Sequence, residues 1–249
     1  MRIRAQEGEK GCSSVIRIQR SRPSALAAAL ALLLTILFVY AVARPALPRQ
    51  QSDAASAEAG VSTQLRMEGL EVHFRVHSRC EDPLQTRIHA AQCVESGGSG
   101  MILPEGSGYA IICEAVKESG GDTLTRSAGG LSLKVQGSAK GLAAIADAIA
   151  FLRAQASETG SLAAALEKGE TDASSVRALL GVYRTQGRRA LENMEKLPRQ
   201  GAVAALSEAV RGDLSRLTDS AATPSGLRLL HAAACGEWLA LLEGLGNSA

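Results

Sequence analysis

The stretch "GLEVHFRVHSR" at residues 69–79 constrains this chain more than any other. Leu70, Val72, Phe74 and Val76 are apolar, and Glu71, His73, Arg75 and His77 between them are polar. Successive side chains of a strand point to opposite faces, so this alternation demands a sheet with one buried face and one wet face. Fully burying the four apolar side chains is worth about 1.5–3 kcal/mol each before ordering entropy is charged. Something must therefore cover one side of this strand. Aromatic residues make up only 3% of the chain, so the cover has to be built mainly from Ala, Leu, Val and Ile.

The flanking sequence supplies candidates. Asp82 is a good N-cap and Pro83 suits a first helical position, which predicts a helix over 83–96. Leu84, Ile88 and Ala91 recur on one of its faces, and Gly97-Gly98 ends it. "GMIL" and "YAIICEA" read as strands separated by the turn "PEGSG", and "LSLKV" alternates again. From Ser138 onward the period changes to helical. Leu142, Ile145, Ile149 and Leu152 mark a first helix. Val176, Leu179, Tyr183, Ala190, Met194 and Leu197 mark a second, ended by Pro198. Val203, Leu206, Val210, Leu214 and Leu217 mark a third, and Pro224 starts a fourth with Leu227, Leu230, Ala234, Trp238 and Leu241 inward. The expectation is α+β: a sheet segment over 68–137, then an all-α helical bundle over 138–249.

The N-terminus adds a different signal. Residues 24–43, "SALAAALALLLTILFVYAVA", are uncharged and apolar, and as a helix would reach about 30 Å, the thickness of a bilayer core. Arg2, Arg4, Lys10, Arg17, Arg20 and Arg22 precede the run and outweigh Arg44 and Arg49 after it. The expectation is a cytoplasmic basic segment at 1–23, a single transmembrane helix at 24–43, and export of the remainder. Ala41-Val42-Ala43 also has the form of a signal-peptide cleavage site, although a signal's apolar core is usually shorter. Either route puts the rest of the chain outside the cytoplasm; a buried helix of a soluble fold is the remaining reading of the run. Residues 44–67, with two prolines and many small polar residues, read as a tether.

Residues 70–116, "LEVHFRVHSRCEDPLQTRIHAAQCVESGGSGMILPEGSGYAIICEAV", resemble the SPOR (sporulation-related) domain of bacterial envelope proteins, in particular membrane-anchored proteins of Gram-positive spore formers. The likeness lies in the first strand, the helix, "GGSGMIL", the glycine turn, and the strand from Tyr109 and Ile111. It implies a ferredoxin-like βαββαβ fold that binds peptidoglycan glycan strands on an open sheet face. His73, Arg75, His77 and Tyr109 would then be the glycan-binding residues. This chain departs from the family at those positions: glutamine, glycine and an aromatic are usual where it has His73, Arg75 and His77, and arginine where it has Ala110. Only "KESGGDTLTRSAGG" is left to form the family's second helix, which is accordingly expected to be degenerate, a βαββ(α)β order.

Other chemistry finds little purchase. His89 and Cys93 have a chelating i, i+4 spacing, but no second Cys/His pair at structural-zinc spacing accompanies them, so no metal or other cofactor is expected. Cys80 and Cys93 could form a bridge where strand end meets helix, which spacing alone does not decide. No nucleophile–base signature or phosphate loop stands out, which predicts no enzyme. A formal net charge of +2 predicts no nucleic-acid partner. The expected function is a membrane-anchored cell-envelope protein that binds glycan at septal or spore-wall remodelling sites. The alternative is a non-enzymatic interaction factor, with an envelope protein partner held by the helical bundle.

Overall fold

The computed structural model describes residues 61–247. The basic N-terminus, the apolar run 24–43 and most of the tether lie outside the described residues. Among those described, no helix is long and apolar enough to cross a membrane, so the fold holds no counterpart of the expected span. The element order is β1 (Val61–Met67), β2 (Leu70–Cys80), α1 (Pro83–Glu95), β3 (Met101–Glu105), β4 (Gly108–Val116), β5 (Thr123–Ala128), β6 (Leu131–Gly137), α2 (Ala139–Glu167), α3 (Ala173–Met194), α4 (Gly201–Arg216) and α5 (Pro224–Gly246).

The chain is α+β, but the expected ferredoxin-like single layer is corrected. Two antiparallel sheets form, one of order β3-β4-β2-β5 and one of β1 with β6. The segment read as a degenerate second helix contains β5, which pairs with β2 along its length. "LSLKV" does not join that sheet. It forms β6 and pairs with β1, which comes from residues read as the end of a tether.

The two sheets share one ladder with a break in it. Leu70 faces Ala128 in the larger sheet and Met67 faces Leu131 in the smaller, so the register is continuous across the gap. Glycines at the gap allow the ribbon to bend. A Cβ on Gly69 would sit 2.7 Å from both the Ala128 carbonyl oxygen and the Gly130 amide nitrogen. Backbone cannot yield to that, so position 69 is closed to any side chain.

Val72, Phe74 and Val76 point to one side of β2 and enter the main core with Ala110, Ile112 and Ala115 of β4. The cover is α5, whose Leu227, Leu230, Ala232, Ala234, Trp238, Leu239 and Leu242 are buried around most of its circumference. Such an all-round apolar helix must be enclosed, and α5 is packed between the sheet and α2. The Trp238 indole donates to the Glu68 carbonyl at 3.1 Å, pinning the bend to the bundle. Side-chain caps start three of the four long helices: Ser138 for α2, Asp172 for α3 and Thr223 for α5. Sheet and bundle therefore share one continuous core.

Helix α1 lies on the opposite side of the sheet, capped by Asp82 as its sequence suggests. Its orientation is the reverse of the expected one. Thr86, Ala90 and Cys93 face inward, whereas Leu84 and Ile88 are 65% and 44% exposed and Ala91 is exposed with them. Small inward residues let the helix approach the polar side of β2 closely.

The bend yields a paired prediction. Gly69→Ala should lower the stability read from urea unfolding by about 1–3 kcal/mol, the usual range for forced overpacking. Gly129→Ala, where no atom lies within 4 Å of the added carbon, should leave it nearly unchanged.

Candidate binding face on the sheet

With Val72, Phe74 and Val76 turned to the bundle, the other parity of β2 faces away from it. Register places Glu71 against Ser127, His73 against Thr125, and Arg75 against both Thr123 and Glu114. Glu71, Arg75, Thr125 and Ser127 are exposed. Helix α1 covers the Ser78–Cys80 end of this side through His89, whose Nδ1 lies 3.0 Å from Ser78 Oγ and 3.6 Å from Cys80 Sγ. The β2–β5 end stays open.

The four residues singled out from the sequence do not form one site. His73 is only 9% exposed, with Nδ1 2.8 Å from Thr125 Oγ1 and Nε2 3.6 Å from a Glu71 carboxylate oxygen. It supports the face from beneath. Arg75 is exposed and donates to Glu114 at 2.6 Å; Glu114 is also 3.5 Å from Arg228 Nε of α5. Arg228 in turn donates to the Gly97 carbonyl and to Glu167, each at 2.6 Å, tying α1, the sheet and α2 together. His77 falls at an irregularity in the β2–β4 ladder and turns toward Cys93 and Cys113. Tyr109 lies opposite Cys80, at the far end of the strand from His73 and half-buried.

Sequence reasoning missed Thr125, Ser127 and Glu114. The β-branched alternation Thr123-Leu124-Thr125 was the available signal for β5, masked by glycines on either side. Cys93 and Cys113 were missed as a pair because helix and strand bring them together without any short spacing. Their sulfurs are 3.7 Å apart. Burial, reinforced by Cys93, pushes the Cys113 thiol up to about 11. All four described cysteines are free thiols, and the weighed Cys80–Cys93 bridge is not formed.

Farther along, Arg79 is held between Glu105 and Asp122, with its Nε 2.7 Å from Glu105, and these hydrogen bonds raise its pKa. That triad fastens β2 to the edge strand β3 and to the start of β5. It spends the cation's donors on the fold.

Some of the bundle's polar groups pair with one another, whereas Gln155 Nε2, Asp213 Oδ2 and Glu237 Oε2 are buried without a hydrogen-bond partner. Tyr183 donates to Glu158 at 2.5 Å. Asp213 is buried close to Glu237, and both carboxylates approach Arg216. Burial first, then repulsion from Glu237, raises the Asp213 pKa. His231 fills space left by Gly160, where any Cβ would meet the imidazole ring. Burial, helped by the charge of Lys117, pushes its pKa down to about 4. No protein-family model, curated protein or solved structure matches this chain.

Two outcomes are expected. Thr125→Val leaves the buried His73 nitrogen without its partner and should cost about 1–3 kcal/mol in urea unfolding. His231 is favoured neutral in the fold, so its stabilisation is complete above its ordinary pKa of 6.5 and is lost as pH falls toward 4. That loss should be on the order of 3 kcal/mol and absent in His231→Gln. Asp213 has the opposite sign: its contribution is complete below its ordinary pKa of 3.8 and is lost as pH rises toward about 8, so Asp213→Asn should flatten the stability profile across that window.

Proposed function

We propose that this chain is a non-enzymatic binding protein of the cell envelope whose open sheet face holds a polyhydroxylated ligand, peptidoglycan glycan strands in particular. One observation carries the reading: the β2–β5 end of the sheet faces away from the bundle and presents Glu71, Arg75, Thr125 and Ser127 together. Carboxylate, guanidinium and hydroxyl groups on a flat, rigid backbone suit sugar hydroxyls, and Arg75 suits the carboxylate of muramic acid. His73 below them fixes Thr125, so the face is pre-organised by its own second layer of hydrogen bonds. The sequence likeness to the SPOR module supports the same ligand class.

A protein partner is the second reading, favoured by the exposed apolar stripe of Leu84, Ile88 and Val94 on α1.

Retention on amidase-treated peptidoglycan tests the first reading. The double variant Arg75→Ala, Thr125→Ala should lose at least tenfold in retention, and equal retention of variant and parent would remove the glycan assignment. The two readings also part in cells. Leu84→Ser with Ile88→Ser should leave septal localisation intact under glycan binding and abolish it under partner docking.

A further inference from the structure

His77, Cys93 and Cys113 come from three elements: the irregular part of β2, the inner face of α1, and β4. Their ligand atoms all lie within 4.8 Å of one another. The Cys93 and Cys113 sulfurs are 3.7 Å apart. Two thiolates on a tetrahedral zinc ion, each about 2.3 Å from the metal, are separated by about 3.8 Å. The sulfur pair already has the edge length of that tetrahedron, with an imidazole beside it. We propose that His77, Cys93 and Cys113 form a three-ligand site for a soft divalent metal ion such as zinc, with the fourth position taken by solvent.

Several features of the surroundings support the assignment. Gly98 packs directly against the Cys93 sulfur, and a Cβ there would overlap Cys93 Sγ and crowd the Cys113 Cα at 3.3 Å. The absence of a side chain at 98 keeps that space open. His77 is exposed, so metal has an approach from solvent, while Cys93 is fully buried and Cys113 half-buried. Two thiolates and a neutral imidazole cancel the charge of a divalent ion, which removes the penalty of burying it. A disulfide between the cysteines would leave the convergent His77 without a role.

The site also answers a packing deficit. Helix α1 turns its large apolar residues outward and contacts the sheet through a small cluster of Ala90, Cys93 and Ile111, with Cys80 and Cys113 against it. That contact buries little apolar area. A metal bridging Cys93 to β2 and β4 would hold α1 on the sheet, independently of whether the open face binds glycan.

Cobalt(II) titration of the reduced, chelator-stripped full chain tests the proposal. One equivalent should give thiolate-to-cobalt charge transfer and the visible bands of tetrahedral cobalt, displaced by zinc. Cys93→Ser and Cys113→Ser should each lose that charge-transfer signature or most of it, and Cys80→Ser should keep it. His77→Ala, at an exposed position, should weaken cobalt binding at least tenfold. Zinc should also raise hydrogen-exchange protection in residues 83–95. The proposal is overturned if the reduced chain shows no thiolate–cobalt band, if His77→Ala binds like the parent, or if the cysteines are found only as a disulfide and reduction restores no metal binding.

Discussion

Burial of Val72, Phe74 and Val76 against α5 is the constraint on which the rest of the molecule depends. A strand whose apolar side is that bulky has to find a cover, and here the cover is the last helix of the chain. Because α5 is enclosed nearly all round, it cannot leave the sheet without exposing its other contacts with α2. Sheet and bundle thus become one cooperative core rather than two beads on a string. The same packing decides which side of β2 faces away from the bundle: Val72, Phe74 and Val76 turn to the helices, and Glu71 and Arg75 to the other side.

The second organising feature is the bend at Gly69 and Gly130. The ladder of β1 with β6 and of β2 with β5 keeps a single register, so the chain forms one long ribbon that turns at its middle. The bend carries Leu65, Leu131, Leu133 and Val135 into the core beside the helices. Trp238 and Arg153, both reaching Glu68, brace the turning point from the helical side.

How much of this was legible in the sequence differs by element, for identifiable reasons. The starts of α1 at Asp82-Pro83, of α2 after Ser138 and of α5 at Pro224 were legible because helix-start chemistry is local. β2 was legible because its alternation is strong. β5 was not, because "TLTRSA" carries one large apolar residue and acquires its strand character from pairing with β2. β1 was hidden for the same reason, since "VSTQLRM" pairs only with a partner roughly seventy residues away. The orientation of α1 was misread because its sequence offers two plausible faces. Leu84, Ile88 and Ala91 look like the buried one, but the sheet side they would meet is polar and close, and only Thr86, Ala90 and Cys93 fit there. The candidate face was half legible: alternation put His73 and Arg75 on its side of the strand, while Thr125, Ser127 and Glu114 came from strands whose pairing no local pattern reveals.

By itself, the sequence determined the alternation of β2, the four helical stretches after Ser138, the capping sites, and the separation of a polar strand parity from an apolar one. These follow from short-range periodicity and from hydrogen bonds made within a few residues. Only the tertiary structure decided that β6 leaves the main sheet, that α1 turns its apolar side outward, that His73 is buried against Thr125, and that His77 converges with Cys93 and Cys113. Each of those outcomes depends on which distant segment arrives as a partner. Such partnerships are settled by the packing of the whole core, in which an apolar side chain at one position gains only what the remote neighbour at another allows it to bury.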